Sequence, residues 1–178
     1  DLLSVVLVNW NSKDDLRACL TSLTQQTYSE LEVIVVDNGS QDGTCEMVVE
    51  EFPQYRLLPQ GENLGFAEGC NRGIEASHGP WVAMLNNDTV AEPRWAEALM
   101  REAARCPEHV GMLQSLMVFR ERPGVINSTG IELTSTGGGR DRQEGKTRDQ
   151  AGSEVNDIFC PTAGAAAYRR SMLDAMES

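Results

Sequence analysis

The sequence predicts an α/β fold in which helices flank a mostly parallel central sheet. Short apolar segments alternate along the chain with segments whose apolar residues recur every three or four positions, and this alternation is typical of such a sheet. Three of the apolar segments, residues 3–8, 33–36 and 81–85, lead directly into asparagine or aspartate. Because parallel strands end at one edge of a sheet, where open α/β sheets bind ligands, these polar side chains are predicted to converge.

The first half of the chain predicts four strands that alternate with four helices. The predicted strands cover residues 3–8, 32–36, 55–58 and 81–85. Ser12 is placed to cap the first helix, Pro53 must follow the end of the second, and Pro93 is placed to open the fourth. The apolar stripes of the four helices are predicted to be Leu16, Cys19, Leu20 and Leu23; Cys45, Val48, Val49 and Phe52; Phe66, Cys70 and Ile74; and Ala96, Leu99, Met100 and Ala103.

The second half is less regular. Residues 110–118 and 155–161 are predicted strands, and a helix is predicted to start at Ser171. The small residues at 162–167 favour close packing against a neighbouring element, with a sugar ring as the alternative partner. Residues 135–152 are rich in glycine and charge and show no apolar period, so we predict a flexible surface loop rather than an ordered lid.

Composition restricts the class of protein. A chain of 178 residues, 40% of them hydrophobic, suits one domain over residues 1–178. No apolar run approaches the roughly 20 residues of a membrane span. The net charge of -12 argues against nucleic-acid or anionic-membrane binding, since both require a basic face. A cytoplasmic location is expected, with the inner face of the membrane as the alternative.

The cysteines and histidines show no metal-ligand or disulfide pattern. Five cysteines are scattered without a C-x-x-C pair, which is typical of reduced thiols. We interpret Cys19, Cys45 and Cys70 as small core residues. His78 and His109 are predicted at the surface, without a carboxylate partner.

One carboxylate follows the strand at residues 81–85. A turn aspartate commonly caps the next helix, but three converging strand ends favour a ligand site for Asp88. Mg²⁺ takes only one or two protein carboxylates together with substrate phosphates and water, so Asp88 suits a metal that neutralises a diphosphate. Asn38 both donates and accepts, which matches the edge of a pyrimidine. For Trp10, core packing and contact with a ligand remain open.

Five segments of the chain carry a combination of motifs, at residues 5–11, 35–44, 62–73, 85–88 and 164–166. Taken together in this order and spacing, they resemble the inverting glycosyltransferases of family 2, and most closely the branch with bacterial rhamnosyltransferases. The resemblance implies a GT-A (nucleotide-diphospho-sugar transferase) fold, a dTDP- or UDP-linked sugar donor and a divalent metal, Mg²⁺ or Mn²⁺. It also implies a saccharide or lipid-linked acceptor in bacterial surface glycan synthesis.

The resemblance further implies a role for individual residues. Asp88 would hold the metal, and Asn87 would lie near the ribose and the donor sugar. The remaining implied residues are Val8, Trp10 and Asn38 at the base, with Asp37 in support; Asn63, Gly65 and Asn71 at the diphosphate; and Gly164, Ala165 and Ala166 beside the sugar and acceptor.

Two features depart from the family pattern. The usual Asp-x-Asp signature is Asn86-Asn87-Asp88 here, which predicts modest metal affinity. The general base of such proteins follows the glycine-alanine turn and its helix, whereas we read Asp174 and Glu177 as helix residues. The base is therefore expected beyond Ser178, in a longer enzyme of which this chain is the donor-binding core.

Two other functions remain as alternatives. A nucleotidyltransferase would show a glycine-rich, basic phosphate loop near the first strand, but residues 7–14 offer only Lys13. A non-catalytic nucleotide- or glycan-binding module would bind its ligand without dependence on metal. Rhamnose from a thymidine diphosphate donor is the expected substrate, on resemblance alone. Arg169 and Arg170 are read as solvated residues at a helix start, with contact to an acceptor phosphate as the alternative.

Overall fold

A computed structural model describes residues 1–152 and 155–176. Its first half contains the predicted alternation of strands and helices. These elements are β1 (Leu3–Asn9), α1 (Lys13–Thr24), β2 (Leu31–Asp37), α2 (Thr44–Glu51), β3 (Arg56–Pro59), α3 (Phe66–Ala76), β4 (Trp81–Leu85) and α4 (Trp95–Ala103). The second half contains β5 (Met112–Gln114), β6 (Met117–Phe119), β7 (Arg122–Ser128), β8 (Ile131–Leu133), β9 (Gly139–Asp141), a 3₁₀ turn (Arg148–Ala151), β10 (Ala165–Arg169) and α5 (Arg170–Met176).

The main sheet has the strand order β3-β2-β1-β4-β10-β5. The first four strands are parallel, and β10 is antiparallel to both of its neighbours. The mostly parallel α/β prediction is therefore confirmed. The chain runs outward from β1 through β2 to β3 and then returns to the other side of β1 as β4, which makes the boundary between β1 and β4 the switch point where open sheets bind ligands.

Helices cover both faces of this sheet. On one face, α1, α2 and α4 pack on Val5, Leu7 and their neighbours, and the predicted stripes of α1 and α4 are buried as expected. On the other face, α3 and α5 pack on a smaller cluster that includes Val6 and Val36. Since successive residues of a strand point to opposite faces, Val5 and Val6 belong to different layers.

Two predicted stripes differ from the structure. In α2 the buried residues are Thr44, Met47 and Val48, while Val49 is 61% exposed and Cys45 is half-buried. Val48 and Phe52 of the predicted stripe are buried, so the buried face includes half of the predicted one and extends to Thr44 and Met47 in place of Cys45 and Val49. Phe66 begins α3 and is exposed, so its predicted place in the core is wrong.

Glycine rather than phenylalanine forms the sheet-facing side of α3. Gly69 and Gly73 are its buried residues. A Cβ atom at Gly73 would lie 2.1 Å from Val6 Cγ1, and one at Gly69 would lie 2.7 Å from Val8 Cγ1. The helix backbone therefore rests directly on the side chains of β1, and this close approach brings α3 near the carboxyl end of that strand.

The second half corrects several predictions. Residues 110–118 form two strands in different sheets, β5 and β6, separated at residues 115–116. No strand covers residues 155–161, where Cys160 makes only an isolated bridge to Ile131. Within the predicted loop at 135–152, residues 139–141 form β9, which pairs with β8, and residues 148–151 form the 3₁₀ turn. Residues 165–167 of the small-residue run begin β10, inside the main sheet.

Several side-chain predictions are also corrected. Ser12 forms no side-chain cap on α1; instead the Asp42 carboxylate accepts from the amide of Lys13 at 2.9 Å. His78 has a carboxylate partner, since its Nδ1 lies 2.7 Å from Glu32 Oε1.

The two arginines at the start of α5 are occupied within the protein. The Arg169 guanidinium stacks 4.6 Å above the ring of Trp81, and Arg170 Nε donates to Gly79 O at 3.0 Å. Both side chains therefore pack against the protein, and their predicted position as solvated residues is wrong. All five cysteines are free thiols. Within the described ranges, no helix is both long and apolar enough to span a bilayer.

Candidate functional site at the carboxyl edge of the sheet

Polar residues from the ends of three strands meet at the carboxyl edge of the sheet. Asn87 follows β4, and its Nδ2 donates to Oδ1 of Asn9 at 2.6 Å. Asn9 ends β1, and its own Nδ2 lies 3.5 Å from Asp37 Oδ1 at the end of β2. The Nδ2 of Asn9 also lies 3.3 Å from the hydroxyl oxygens of Ser40 and Thr44. The predicted convergence of the strand ends at one rim is therefore present.

The loop after β2 is held by its own side chains. Asp37 Oδ2 accepts from the amide of Ser40 at 2.9 Å, and the Ser40 hydroxyl accepts from the amide of Asn11 at 2.9 Å. Gly39 has φ +73°, and a Cβ there would lie 2.8 Å from Glu62 Cα. Only glycine suits both the backbone conformation and this contact, so the loop is fixed against the segment that leads to α3.

Asn38 lies between this loop and the start of α3, and this position is called the recess below. Asn38 is 2% exposed, and its backbone amide donates to the backbone oxygen of Asn9 at 2.8 Å. Its Nδ2 donates to Gly65 O at 3.1 Å. Among residues 1–152 and 155–176, Asn38 Oδ1 is the one buried side-chain oxygen or nitrogen without a partner. A buried acceptor left unpaired costs about 1–3 kcal/mol of stability. A ligand that donates a hydrogen bond to this oxygen would remove that penalty.

The other residues predicted for the base and diphosphate lie at the end of β1, before α3 and within α3. Val8 contacts the backbone of α3 at Gly69. Trp10 is 56% exposed just beyond β1, which excludes core packing. Asn63 Oδ1 accepts from the amide of Gly65 at 2.9 Å and orders the turn into α3. Asn71 is exposed; it follows Gly69 by two residues, roughly 200° around the helix, so the structure does not bring it to the recess.

Asp88 lies in the turn after β4. The turn is closed by Thr89, whose amide and hydroxyl both donate to Asn86 O, at 3.2 and 2.7 Å. Asp88 is exposed. The next helix, α4, has Arg94 at its N-cap, so Asp88 does not cap it. Beneath the turn, burial raises the pKa of the Cys19 thiol to about 12, which leaves this cysteine protonated and inert.

A metal at this site would depend on its ligand. The described residues contain no group of three or more histidine, cysteine, aspartate or glutamate side chains that would hold a metal ion. Asp88 forms no ion pair with a basic residue in those ranges. A single free carboxylate fits Mg²⁺ or Mn²⁺ when phosphate oxygens and water complete the coordination.

The small residues of β10 lie beside the same turn. Gly164 O accepts from the amide of Asn86 at 3.0 Å. Ala165 pairs with Leu85 in the sheet, and Ala166 is fully buried. Ala165 and Asp88 both line a large open cleft of about 1640 Å³ that extends toward β5 and β6. The Asp88 turn therefore borders this cleft, and the preceding residue, Asn87, joins the turn to Asn9 at the end of β1.

The comparisons with known proteins identify the family. The model of Glycosyl transferase family 2 matches residues 4–176. The chain belongs to glycosyltransferase family 2. The family 2 chain is 37% identical over 139 residues to the uncharacterized glycosyltransferase YibD of Escherichia coli, covering 76% of this chain and 40% of that protein. It is 36% identical over 146 residues to the N-acetylglucosaminyl-diphospho-decaprenol L-rhamnosyltransferase of Mycobacterium tuberculosis, covering 76% of this chain and 47% of that protein.

Solved structures show the fold of this family 2 chain. The mannosyltransferase PcManGT from Pyrobaculum calidifontis, in complex with GDP-Man and Mn²⁺, matches with a TM-score of 0.65 at 22% identity, covering 98% of this chain and 46% of that one. Staphylococcus aureus TarS 1-349 in complex with UDP matches with a TM-score of 0.67 at 21% identity, covering 99% of this chain and 49% of that one. The GT-A fold implied by the sequence motifs is confirmed. The chain spans about half the length of the curated relatives it matches.

Proposed function

We propose that this chain forms the donor-binding part of a glycosyltransferase that moves a sugar from a nucleotide diphosphate to a saccharide or lipid-linked acceptor. The family and fold support this proposal. The single observation that carries it is the buried, unpaired Oδ1 of Asn38 at the sheet edge where Asn87 and Asp88 also lie. We assign the role to bacterial surface glycan synthesis, in the cytoplasm or at the inner face of the membrane.

The recess at Asn38 is proposed to bind the base. Because Nδ2 of Asn38 is bound to Gly65 O, the free Oδ1 is an acceptor for an N–H group of the base. The proposed donor group is the ring N3–H of uracil or thymine, which cytosine lacks, and this fits a UDP- or dTDP-linked donor. Val8 and Trp10 supply apolar surface to the ring, and Asp37 supports the loop that holds Asn38.

The Asp88 turn is proposed to bind the diphosphate and its metal. Mg²⁺ or Mn²⁺ on Asp88 would neutralise the leaving diphosphate. Asn87, half-buried beside Asn9, is proposed to lie near the ribose and the donor sugar. Asn63 and Gly65 would shape the diphosphate side from the start of α3.

The acceptor is proposed to approach from the cleft beside Gly164, Ala165 and Ala166. Inverting transfer requires a general base opposite the leaving group, and we propose that a longer protein of this type supplies it after α5. Asp174 lies exposed within α5; Glu177 lies outside the described residues. Rhamnose remains the proposed sugar. The proposed partners do not include nucleic acid. The proposal also places no membrane span in this chain.

Calorimetric titration of the 178-residue chain with UDP, dTDP and CDP, with and without Mn²⁺, tests this function. We expect UDP and dTDP to bind more tightly with Mn²⁺, CDP to bind more weakly than either, and Asp88→Ala to lose the metal effect while remaining folded. Nucleotide binding that is indifferent to metal in the wild type would favour a non-catalytic module. Release of diphosphate from a nucleoside triphosphate and a sugar phosphate would favour a nucleotidyltransferase.

A further inference from the structure

The strands on the two sides of the ligand crevice separate before they end. The backbone pairing of β1 with β4 runs from Leu3 opposite Trp81 to Val6 opposite Met84 and stops there. The pairing of β1 with β2 continues to Asn9 opposite Asp37. If the register of β1 with β4 were extended beyond Val6, Asn9 would lie opposite Asn87.

A side-chain hydrogen bond joins the strands at that extended position. Asn87 Nδ2 donates to Asn9 Oδ1 at 2.6 Å, so a pair of amides spans the gap where the backbone ladder has ended. Asn9 is only 1% exposed. A hydrogen bond is stronger in a buried site than in water, because the local dielectric is low. Removal of one partner would leave the other buried and unpaired, which is costly.

The orientation of the Asn9 amide follows from its partners. The carboxylate of Asp37 only accepts, so the nitrogen of Asn9 must face it, at 3.5 Å. The same nitrogen is 3.3 Å from the hydroxyls of Ser40 and Thr44. The oxygen is then directed to Asn87. One side chain therefore contacts the loop after β2 and the turn after β4.

The backbone of Asn9 extends this connection to the base recess. Asn9 O accepts from the amide of Asn38 at 2.8 Å. Asn38 holds the unpaired Oδ1, and Asn87 directly precedes Asp88. We infer that Asn9 is a positioning residue that couples the base recess to the metal-bearing turn across the crevice between β1 and β4. This inference rests on the proposed function.

Ser4 provides a matched control on the same strand. It is fully buried, its hydroxyl donates to Glu32 Oε2 at 2.6 Å, and it accepts from the amide of Gly79 at 2.8 Å. It lies at the amino end of β1, at the opposite edge of the sheet from Asn38 and Asp88. Ser4→Ala therefore removes a buried polar link between strands without altering the crevice.

The experiment measures the Mn²⁺ enhancement, defined as the UDP dissociation constant without Mn²⁺ divided by that with it. We expect Asn9→Ala to lower this ratio about three- to tenfold, in line with the loss of one buried hydrogen bond. Ser4→Ala is expected to leave the ratio within about twofold of the wild type. In a double-mutant cycle, Asn87→Ala should lower the ratio little further when Asn9 is already alanine.

The outcomes are distinct. A wild-type ratio of one overturns both the proposed function and this inference. A clear wild-type enhancement that Asn9→Ala preserves, or that Ser4→Ala reduces equally, overturns this inference alone. If Asn9→Ala does not fold, Asn87→Ala removes the same hydrogen bond from its half-buried side and is expected to lower the ratio about three- to tenfold. An enhancement that folded Asn87→Ala leaves unchanged would then contradict the bridge between Asn9 and Asn87.

Discussion

Asn38 donates through Nδ2 to the carbonyl oxygen of Gly65 at 3.1 Å, and this bond leaves its Oδ1 without a partner in the described part of the chain. This bond fixes the orientation of the side-chain amide and leaves its oxygen as a free acceptor. Under the proposed function this oxygen accepts from the ring N3–H of uracil or thymine, whereas N3 of cytosine carries no proton. The proposed selectivity would then depend on the turn at Gly65 as much as on Asn38.

The first prediction concerns the choice of base. Asn38→Ala should weaken UDP and dTDP binding about three- to tenfold, because it removes one hydrogen bond of roughly 0.5–1.5 kcal/mol. CDP binding should change by less than twofold, since no favourable bond to cytosine is lost. Calorimetry with the three nucleotides checks this, and equal losses for CDP and UDP would show that Asn38 supports the recess without reading the base.

The second prediction concerns the metal. Asp88 is exposed, so Asp88→Asn should leave the thermal midpoint within about 2 °C, as for other surface substitutions. It should abolish the Mn²⁺ enhancement of UDP binding. Asp174→Asn is the matched control, because Asp174 is an equally exposed aspartate in α5. Retained enhancement in Asp88→Asn would place the metal elsewhere.

The third prediction concerns pH. Burial of Glu32 opposes its charged form, but hydrogen bonds from Ser4 and His78 outweigh burial and lower the pKa of Glu32 below its usual 4.5. The carboxylate therefore stabilises the fold above pH 4.5, and this contribution is lost as the pH falls through the lowered value. Glu32→Gln should cost about 1–2 kcal/mol at pH 7.

Urea unfolding at pH 7 and at pH 3 checks the sign of this effect. The difference between wild type and Glu32→Gln should be smaller at the lower pH. Glu75→Gln, which loses only an exposed ion pair of 4.0 Å to Arg72, should differ from wild type by less than about 0.5 kcal/mol at either pH. A difference for Glu32→Gln that grows toward pH 3 would contradict the assignment.

The fourth prediction concerns the packing of α3. Gly73→Ala places a Cβ atom 2.1 Å from Val6 Cγ1, and this overlap should destabilise the protein by about 1–3 kcal/mol. Gly124→Ala is the control, because a Cβ there meets nothing within 4 Å and its φ is not positive. Guanidinium unfolding of both variants measures the difference. Equal stabilities would mean that α3 moves away from β1 at no cost.

The first half of the fold was predictable because its signals are local. Apolar stripes in α1 and α4, and apolar strands ending in polar residues, depend on spacing within one element. The second half was not, because β10 is defined by its partners β4 and β5, and small residues give no strand period. In α3, Cys70 and Ile74 pack on the sheet as predicted, but the exposed Phe66 and the close approach at Gly69 and Gly73 depend on β1 and could not be read from the helix alone.

The site was predictable only where its signals lie within one element. The positions of Asn38 and Asp88 at one rim could be predicted from the strand ends. The connecting role of Asn9 could not, because its bonds to Asp37 and Asn87 depend on the register of three strands and on where β1 separates from β4. The partner of Glu32 was missed for a related reason, since His78 is distant in sequence.

The place of β10 in the sheet has a consequence for synthesis on the ribosome. Its neighbour β4 is fully buried, yet the strand that covers one of its edges is translated long after it. At ordinary elongation rates, that interval is on the order of several seconds. During it the nascent chain presents an open apolar edge of the kind that pairs with other chains. Premature termination before Ala165 would make that exposure permanent, so shortened products are expected to precipitate or to be held by chaperones.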